Sequence, residues 1–182
     1  MPVSEKTYQQ LVLEDPRGQW ELVCGRLRRK PDMTTEHESV ARRLTRRLSV
    51  QVNEDDFSVG MGSPKLRVSS GSYYFPDVCV LPRPFERKLR ETPGRFEVYT
   101  DPMSLVVEVW SPSTGDYDVD EKLVEYQKRG DLEIWRIHPY ERTLTAWRRR
   151  PDGTYAETLY RHGSVQPIAL SDVTIEIESL FA

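Results

Sequence analysis

The longest helix of the chain is visible in the spacing of its apolar residues. Apolar side chains recur at four-residue steps through a polar background, as expected for a helix with one buried face; they are Val40, Leu44, Leu48 and Val52. The pattern predicts a helix that begins near Thr34 or Thr35, with Glu38 completing a capping box. We expect its apolar face to pack on a sheet and its arginine-rich face to meet solvent or a ligand.

Shorter apolar runs predict the strands of that sheet. A hairpin is expected to turn at Cys24-Gly25, because glycine favours the turn, and residues 73–81 have the pattern of one continuous strand. Further strands are predicted at residues 57–59, 66–68, 105–110, 132–138, 143–149, 155–160 and 173–177. The sum is an α/β fold with a mixed β-sheet flanked by helices.

Two more helices and one long connection complete the predicted organisation. One helix should run from Ser4 to Asp15, and another from Asp116 to Arg129 with Asp118 as a cap. Residues 82–102 hold four prolines and show no regular period, which predicts an irregular surface excursion near the functional site.

Length and composition are those of one globular domain spanning residues 1–182. The chain has 182 residues, of which 37% are hydrophobic and 30% charged. No apolar stretch approaches the roughly 18 residues of a membrane span, and the first ten residues lack the apolar core of a secretion signal. We therefore expect a cytoplasmic protein without a membrane partner.

The charge distribution allows nucleic-acid binding only on a restricted surface. A net charge of -3 argues against a protein that coats nucleic acid without specificity. Basic residues are clustered at residues 26–30, 42–47 and 148–150, so positive potential could be confined to one face. For any single cluster, solvated surface charge facing nearby acids is the simpler interpretation. Cys24 and Cys79 lack partners at metal-ligand spacing, which predicts two buried, reduced thiols.

Candidate chemistry centres on Glu108, the single charge in the apolar run of residues 105–110. A buried, unpaired carboxylate must protonate, pair with a cation or bind a metal. Asp77, in the strand of residues 73–81, and Lys122, in the following helix, could supply the missing partners. Two carboxylates and a lysine are sufficient for metal-assisted cleavage of a phosphodiester. A structural ion pair of Glu108, a turn role for Asp77 and an exposed position for Lys122 are the competing interpretations.

A wider set of residues resembles the Uma-two family, whose members are described as restriction endonucleases of the PD-(D/E)XK nuclease superfamily. The resemblance rests on Pro76-Asp77, on residues 105–109 with Ser111-Pro112-Ser113-Thr114, and on Asp118, Lys122, Tyr126, Gly130, Glu133 and Trp135. It covers most of the chain, and the combination is far more specific than any of its parts. The resemblance implies that the mixed β-sheet flanked by helices is a restriction endonuclease-like core.

The resemblance implies roles for individual residues. Asp77 and Glu108 match the two acidic elements and would bind magnesium, with manganese as an alternative. The family's catalytic lysine is expected two residues after the second acid, where this chain has Trp110; Lys122 matches the lysine in its migrated position. Glu21 matches an acidic position that would add a further catalytic ligand, and His37 matches a histidine before the long helix. For His37, the simpler reading is a residue that flanks or caps the helix.

The function implied is a magnesium-dependent endonuclease that hydrolyses DNA, in which Lys122 assists the attacking water. A homodimer is expected by analogy with enzymes that cut both strands. Two other classes remain open, because a fold does not specify a function. One is a catalytically silent module that binds nucleic acid or protein, and the other is a structural oligomer whose carboxylates are merely paired.

Overall fold

Helices flank a mixed β-sheet in the computed structural model, which describes residues 2–31, 33–68, 71–91, 96–115 and 121–182. The helices are α1 (Glu5–Glu14), α2 (Thr35–Ser49), α3 (Arg83–Arg90) and α4 (Leu123–Arg129), followed by a 3-10 helix (Glu178–Leu180). The strands are β1 (Trp20–Val23), β2 (Arg26–Arg29), β3 (Phe57–Met61), β4 (Leu66–Arg67), β5 (Tyr73–Tyr74), β6 (Val78–Pro82), β7 (Leu105–Val109), β8 (Glu133–His138), β9 (Thr143–Arg149), β10 (Tyr155–Tyr160), β11 (Ser164–Val165) and β12 (Ile175–Glu176). The predicted α/β class is confirmed.

The larger sheet has six strands in the order β10-β9-β8-β7-β6-β3. Its neighbours are antiparallel except β7 and β8, which are parallel and therefore need a crossover connection. Helix α4 lies in that connection. In such a crossover the helix runs antiparallel to the two strands, so the first turn of α4 lies near the carboxyl end of β7.

A four-stranded sheet, called the smaller sheet below, has the order β2-β1-β5-β4, and its residues Val23, Leu66 and Tyr74 pack with Cys79 and Val106 of the larger sheet. Strands β11 and β12 form a separate two-stranded sheet. Strands β1 and β2 form the predicted hairpin, and its turn residues Cys24 and Gly25 have φ values of 47° and 76°. Positive φ at both turn residues matches the twist of a tight hairpin. The chain enters the larger sheet at β3, returns to the smaller one at β4 and β5, and enters the larger one again at β6.

Helix α2 packs its apolar stripe on one face of the larger sheet, as predicted. Val40, Leu44 and Leu48 are buried against sheet residues that include Val78 and Val107. The opposite face carries a second cluster, which includes Val106 of β7 and Tyr126 of α4. Strand β7 is consequently covered on both faces, and all five of its residues are buried.

Two local predictions, for residues 73–81 and for residues 82–102, were wrong. Residues 73–81 form two strands in different sheets, because Pro76 has no N–H for a ladder and the chain changes sheets there. Asp77 therefore precedes β6 and does not lie within a strand. Residues 82–102 include helix α3 and so are not wholly irregular. Asp116 and Asp118 lie outside the described residues, so the predicted start of the fourth helix is not described.

The two cysteines differ in exposure. Cys79 is buried, as predicted, but Cys24 is exposed because it occupies the turn of the hairpin. Within the described part of the chain, no helix has the length and apolar character required to cross a bilayer.

Candidate active site

Asp77 and Glu108 lie side by side in the larger sheet, with Asp77 directly before β6 and Glu108 in β7. Val78 of β6 pairs with Val107 of β7, so continuing the antiparallel register by one residue sets Asp77 opposite Glu108. Residues opposed in this way point to the same face of a sheet. The backbone N–H of Val109, the last residue of β7, donates to Asp77 Oδ2 over 2.7 Å. This hydrogen bond fixes the Asp77 carboxylate at the end of β7.

Asp77 has two further donors from outside the sheet. Lys30 Nζ, just after β2, lies 2.6 Å from Asp77 Oδ1, and His37 Nε2, in the first turn of α2, lies 2.9 Å from Asp77 Oδ2. Burial alone would raise the pKa of Asp77, but Lys30 and His37 outweigh it and hold the pKa below its ordinary value. Asp77 is thus ionised despite being only 5% exposed.

Glu108 is held by two residues at the start of α4. The Tyr126 hydroxyl donates to Glu108 Oε1 over 2.6 Å, and Lys122 Nζ lies 3.3 Å from the same oxygen. Tyr126 follows Lys122 by four residues, so both side chains lie on one face of the helical turn. Burial, then the charge of Glu108, raises the pKa of Tyr126 well above its ordinary value, which keeps its hydroxyl a donor.

Glu21 binds the opposite side of the Lys122 ammonium. Its Oε1 lies 3.1 Å from Lys122 Nζ and also accepts a hydrogen bond of 3.0 Å from the Phe75 N–H. The ammonium is therefore positioned between Glu21 of the smaller sheet and Glu108 of the larger one. It also lies 5.7 Å from the centre of the Tyr74 ring. Lys122 is 2% exposed, so this ammonium is held by several partners within the protein.

These groups line one cleft with a volume of about 180 Å³. Its inner part holds three carboxylates, from Glu21, Asp77 and Glu108, and two ammonium groups, from Lys30 and Lys122. Carboxylates at this density in a buried site require cationic partners, and Lys30 and Lys122 are such partners. Arg28, Arg29, Ser113 and Thr114 lie around the same cleft.

The residues fit a divalent cation of the magnesium type in their donor chemistry. Magnesium prefers oxygen ligands and is usually held by one or two carboxylates together with water and phosphate. The adjacent carboxylates of Asp77 and Glu108 meet that requirement. Among the described residues, no group of three or more His, Cys, Asp or Glu side chains could hold a metal by itself. Any metal here would accordingly depend on water or substrate for its remaining ligands.

All four residues predicted to be catalytic, Glu21, Asp77, Glu108 and Lys122, line the cleft. Lys122 is not an exposed helix residue but a buried one, which removes the competing interpretation of that lysine. His37 contacts Asp77 through its ring, so it does more than flank the helix.

Sequence reasoning missed Lys30 and treated it as part of a surface cluster. It follows Arg28 and Arg29 directly, and nothing in that run of basic residues indicates that the Lys30 side chain is the buried one. The need to balance three carboxylates was the available signal. Trp110, in the position where the family pattern expects lysine, stacks on His138 with ring centres 4.3 Å apart.

The fold and this site define a restriction endonuclease-like α/β protein. A family model described as "Uma2: Putative restriction endonuclease" matches residues 5–178, so the chain belongs to this family. Among solved structures, a crystal structure described as that of a "putative nuclease belonging to DUF820" from Anabaena variabilis ATCC 29413 is similar, with a TM-score of 0.80. That chain is 18% identical, and the similarity covers 99% of this chain and 98% of that one. The comparison with curated proteins gives no match.

Proposed function

We propose that the protein is a divalent-metal-dependent endonuclease that hydrolyses phosphodiester bonds in DNA. The observation that carries the proposal is the convergence of Asp77, Glu108 and Lys122 in one cleft. The register puts the two carboxylates opposite each other, and Lys122 Nζ lies 3.3 Å from Glu108 Oε1. Family membership and the shared fold support the class of activity.

Asp77 and Glu108 would hold magnesium or manganese in this proposal. Such a cation, when bound, supplies Lewis-acid polarisation of a phosphate oxygen and lowers the pKa of a bound water. Lys122 contributes a compact positive charge that orients the attacking water or stabilises negative charge developing on phosphate. Glu21 positions this ammonium from its far side, which makes Glu21 a positioning residue rather than a metal ligand.

The remaining contacts keep the carboxylates ionised and fixed. Lys30 and His37 stabilise the charged form of Asp77, and the Tyr126 hydroxyl orients Glu108. Hydrogen bonds of this kind orient groups that bind metals and are often as important as the ligands.

The proposal is tested by nicking of supercoiled plasmid DNA with magnesium or manganese. Glu108→Gln and Lys122→Ala should each lower the rate at least roughly a hundredfold, since each removes a charge from the reacting centre. Lys128→Ala is the matched control, because Lys128 lies on the same helix and its side chain is 56% exposed. Equal nicking by all four proteins, the parent included, would mean that the activity comes from a contaminant or another site.

A silent binding module is the second candidate, and one observation favours it. Both oxygens of Asp77 already accept hydrogen bonds, and Glu108 Oε1 accepts one from Tyr126 and one from Lys122. A cluster neutralised in this way could be purely structural. DNA binding without nicking at any divalent cation concentration would favour this candidate over the enzyme.

The homodimer and the cytoplasmic location stay predictions. Sedimentation of the purified protein with and without DNA would test the first of them. A dimer is expected if both strands of a duplex are cut in one binding event.

A further inference from the structure

Strand β2 is an exposed edge strand with an unusual density of positive charge. It forms one edge of the smaller sheet and pairs with β1. Its four residues are Arg26, Leu27, Arg28 and Arg29, and all four are exposed. Charged side chains on an edge can simply prevent pairing with another chain. That explanation does not require the charges to face any particular side.

The register shows that part of this charge faces the cleft. Glu21 pairs with Arg28, and Val23 pairs with Arg26. Directly opposed residues share a face, and the Glu21 side chain points toward Lys122 in the cleft. The side chains of Arg26 and Arg28 therefore leave β2 on the cleft side. Those of Leu27 and Arg29 leave the strand on its opposite face.

Lys30 continues the same alternation and ends at the carboxylates. It follows Arg28 by two residues, and its ammonium lies 2.6 Å from Asp77 Oδ1. Residues two apart on a strand are separated by about 7 Å. Arg26, Arg28 and Lys30 thus form a basic row that leads from the outer surface to the bottom of the cleft.

Charge around the row differs along its length. At the outer end, Arg26 lines a neighbouring groove with Glu121 and Glu125, and Glu125 is itself 2.9 Å from Lys128. Nearer the carboxylates, Arg28 lines the cleft with the hydroxyl residues Ser113 and Thr114. The middle of the row lies opposite Glu21, whose carboxylate is already held by Lys122 and by the Phe75 N–H. An anionic group in the cleft can therefore approach Arg28 beside the two hydroxyl residues.

We propose that this basic row binds the sugar–phosphate backbone of the substrate strand, with Arg28 contacting a phosphate adjacent to the one that is cleaved. The proposal rests on the function proposed above and adds where the substrate lies. Arginine suits this position because its planar fork can give a phosphate two hydrogen bonds. A row of cations ending at the reacting groups fits a linear polyanion better than a compact anion.

The test measures binding of a short fluorescein-labelled DNA duplex by fluorescence anisotropy in EDTA, so that cleavage does not interfere. Arg28→Gln should weaken binding roughly tenfold at low salt and lower the slope of log affinity against log salt by about one. Arg28→Lys should keep the slope and lose part of the affinity. Arg46→Gln is the matched control, because Arg46 is an exposed arginine on α2 and loses the same charge.

Several outcomes would overturn the proposal. An unchanged slope in Arg28→Gln would do so, and so would an equal effect of Arg46→Gln, since that would reflect net charge alone. Thermal unfolding of each variant excludes loss of folded protein as the cause. Polyglutamate that competes as well as DNA would point to an acidic protein partner and against a backbone site.

The same proteins are assayed for plasmid nicking, which separates this inference from the proposed function. If the parent nicks DNA and Arg28→Gln binds DNA as well as the parent does, the basic-row inference is refuted and the proposed function is not. Parent protein that neither binds nor nicks DNA would refute both. Binding that depends on Arg28 without nicking would support the row on a silent module.

Discussion

Two buried lysines serve different carboxylates in this protein. Lys122 is shared by Glu21 and Glu108, whereas Lys30 donates to Asp77 Oδ1 over 2.6 Å and to the Phe75 carbonyl over 2.8 Å. Burial by itself would lower the pKa of Lys30, but Asp77 and then Glu108 outweigh burial and raise it. Lys30 therefore remains charged and neutralises one side of the proposed metal site.

Removing the Lys30 charge should destabilise the protein and make it more responsive to divalent cations. Loss of one partner from a buried ion pair typically costs about 3–5 kcal/mol. We expect Lys30→Gln to lie near the low end, about 3 kcal/mol, because Asp77 keeps its bonds from His37 and Val109. Manganese should then raise the free energy of unfolding more in the variant than in the parent, because a competing positive charge is gone.

The measurement is urea unfolding with and without manganese. Lys128→Gln is the control, since its ion pair with Glu125 is exposed and should contribute less than about 1 kcal/mol. If manganese stabilised the parent and Lys30→Gln equally, the Lys30 ammonium would have no influence on cation binding.

At the scale of elements, the first turn of α2 connects helix stability to the site. Thr34 is the N-cap, and its side-chain oxygen accepts a hydrogen bond of 3.2 Å from the His37 N–H. Glu38 does not complete the predicted capping box. That box would require Thr35 as the N-cap, three residues before Glu38, whereas the N-cap is Thr34. The cap therefore holds the residue that contacts Asp77.

Replacing the cap should weaken the helix by a known amount. Thr34→Ala is expected to lower the free energy of unfolding by about 1 kcal/mol, because one N–H at the start of the helix loses its acceptor. Thr34→Ser should retain most of the stability. Thr35→Ala, one residue inside the helix, is the control and should change stability by less than about 0.5 kcal/mol in urea unfolding. Equal losses at both positions would show that the capping bond has no special contribution.

Elements with a strong apolar period or a glycine turn could be predicted from the sequence, and those without either could not. Helix α2 and the strands from β7 to β10 follow such patterns, whereas the β1–β2 hairpin was predicted from its glycine turn, since no residue of β2 is buried. Helix α3 has no buried residue, so it has no apolar stripe to read. Its available signals are weaker: a proline in its first turn and the ion pairs of Glu86 with Arg83 and Arg90.

The strand of residues 73–81 shows a different limit. Apolar residues on both sides of Pro76 are buried, but by different sheets. A hydrophobic pattern reports burial and does not identify the partner strand, so the change of sheet could not be read from it. The same limit applies to Lys30, because its inward direction follows from the register of β2 and not from its neighbours in sequence.

At the scale of the molecule, the cleft lies where the larger and the smaller sheet meet. Glu21 and Lys30 come from the hairpin of the smaller sheet, Asp77 and Glu108 come from the larger sheet, and Lys122 comes from the crossover between β7 and β8. Their ion pairs therefore join separate parts of the fold. We infer that the relative position of the sheets determines the geometry of the site.

The crossover helix is fixed at its other end by Asp131, which should make global stability depend on pH. Asp131 follows the helix and accepts a hydrogen bond of 2.6 Å from the Met103 N–H, just before β7. Burial raises the pKa of Asp131 to about 6, although Arg129 opposes the shift. In the unfolded state Asp131 has the ordinary aspartate pKa of about 3.9. Between about pH 4 and 6, Asp131 is therefore protonated in the folded state and ionised in the unfolded state.

Because the pKa of Asp131 is higher in the folded state than in the unfolded state, protonated Asp131 stabilises the protein fully below about pH 4. This contribution is lost as the pH rises through 6. The expected loss is of the order of 3 kcal/mol. Asp131→Asn should lack it, so the stability of the variant relative to the parent should improve between pH 4 and 7 by about that amount.

Urea unfolding across this range measures the difference, and Asp55→Asn, at an exposed position, corrects for the change in net charge. A difference between Asp131→Asn and the parent that stayed constant with pH would mean that Asp131 is ionised throughout, with Arg129 outweighing its burial.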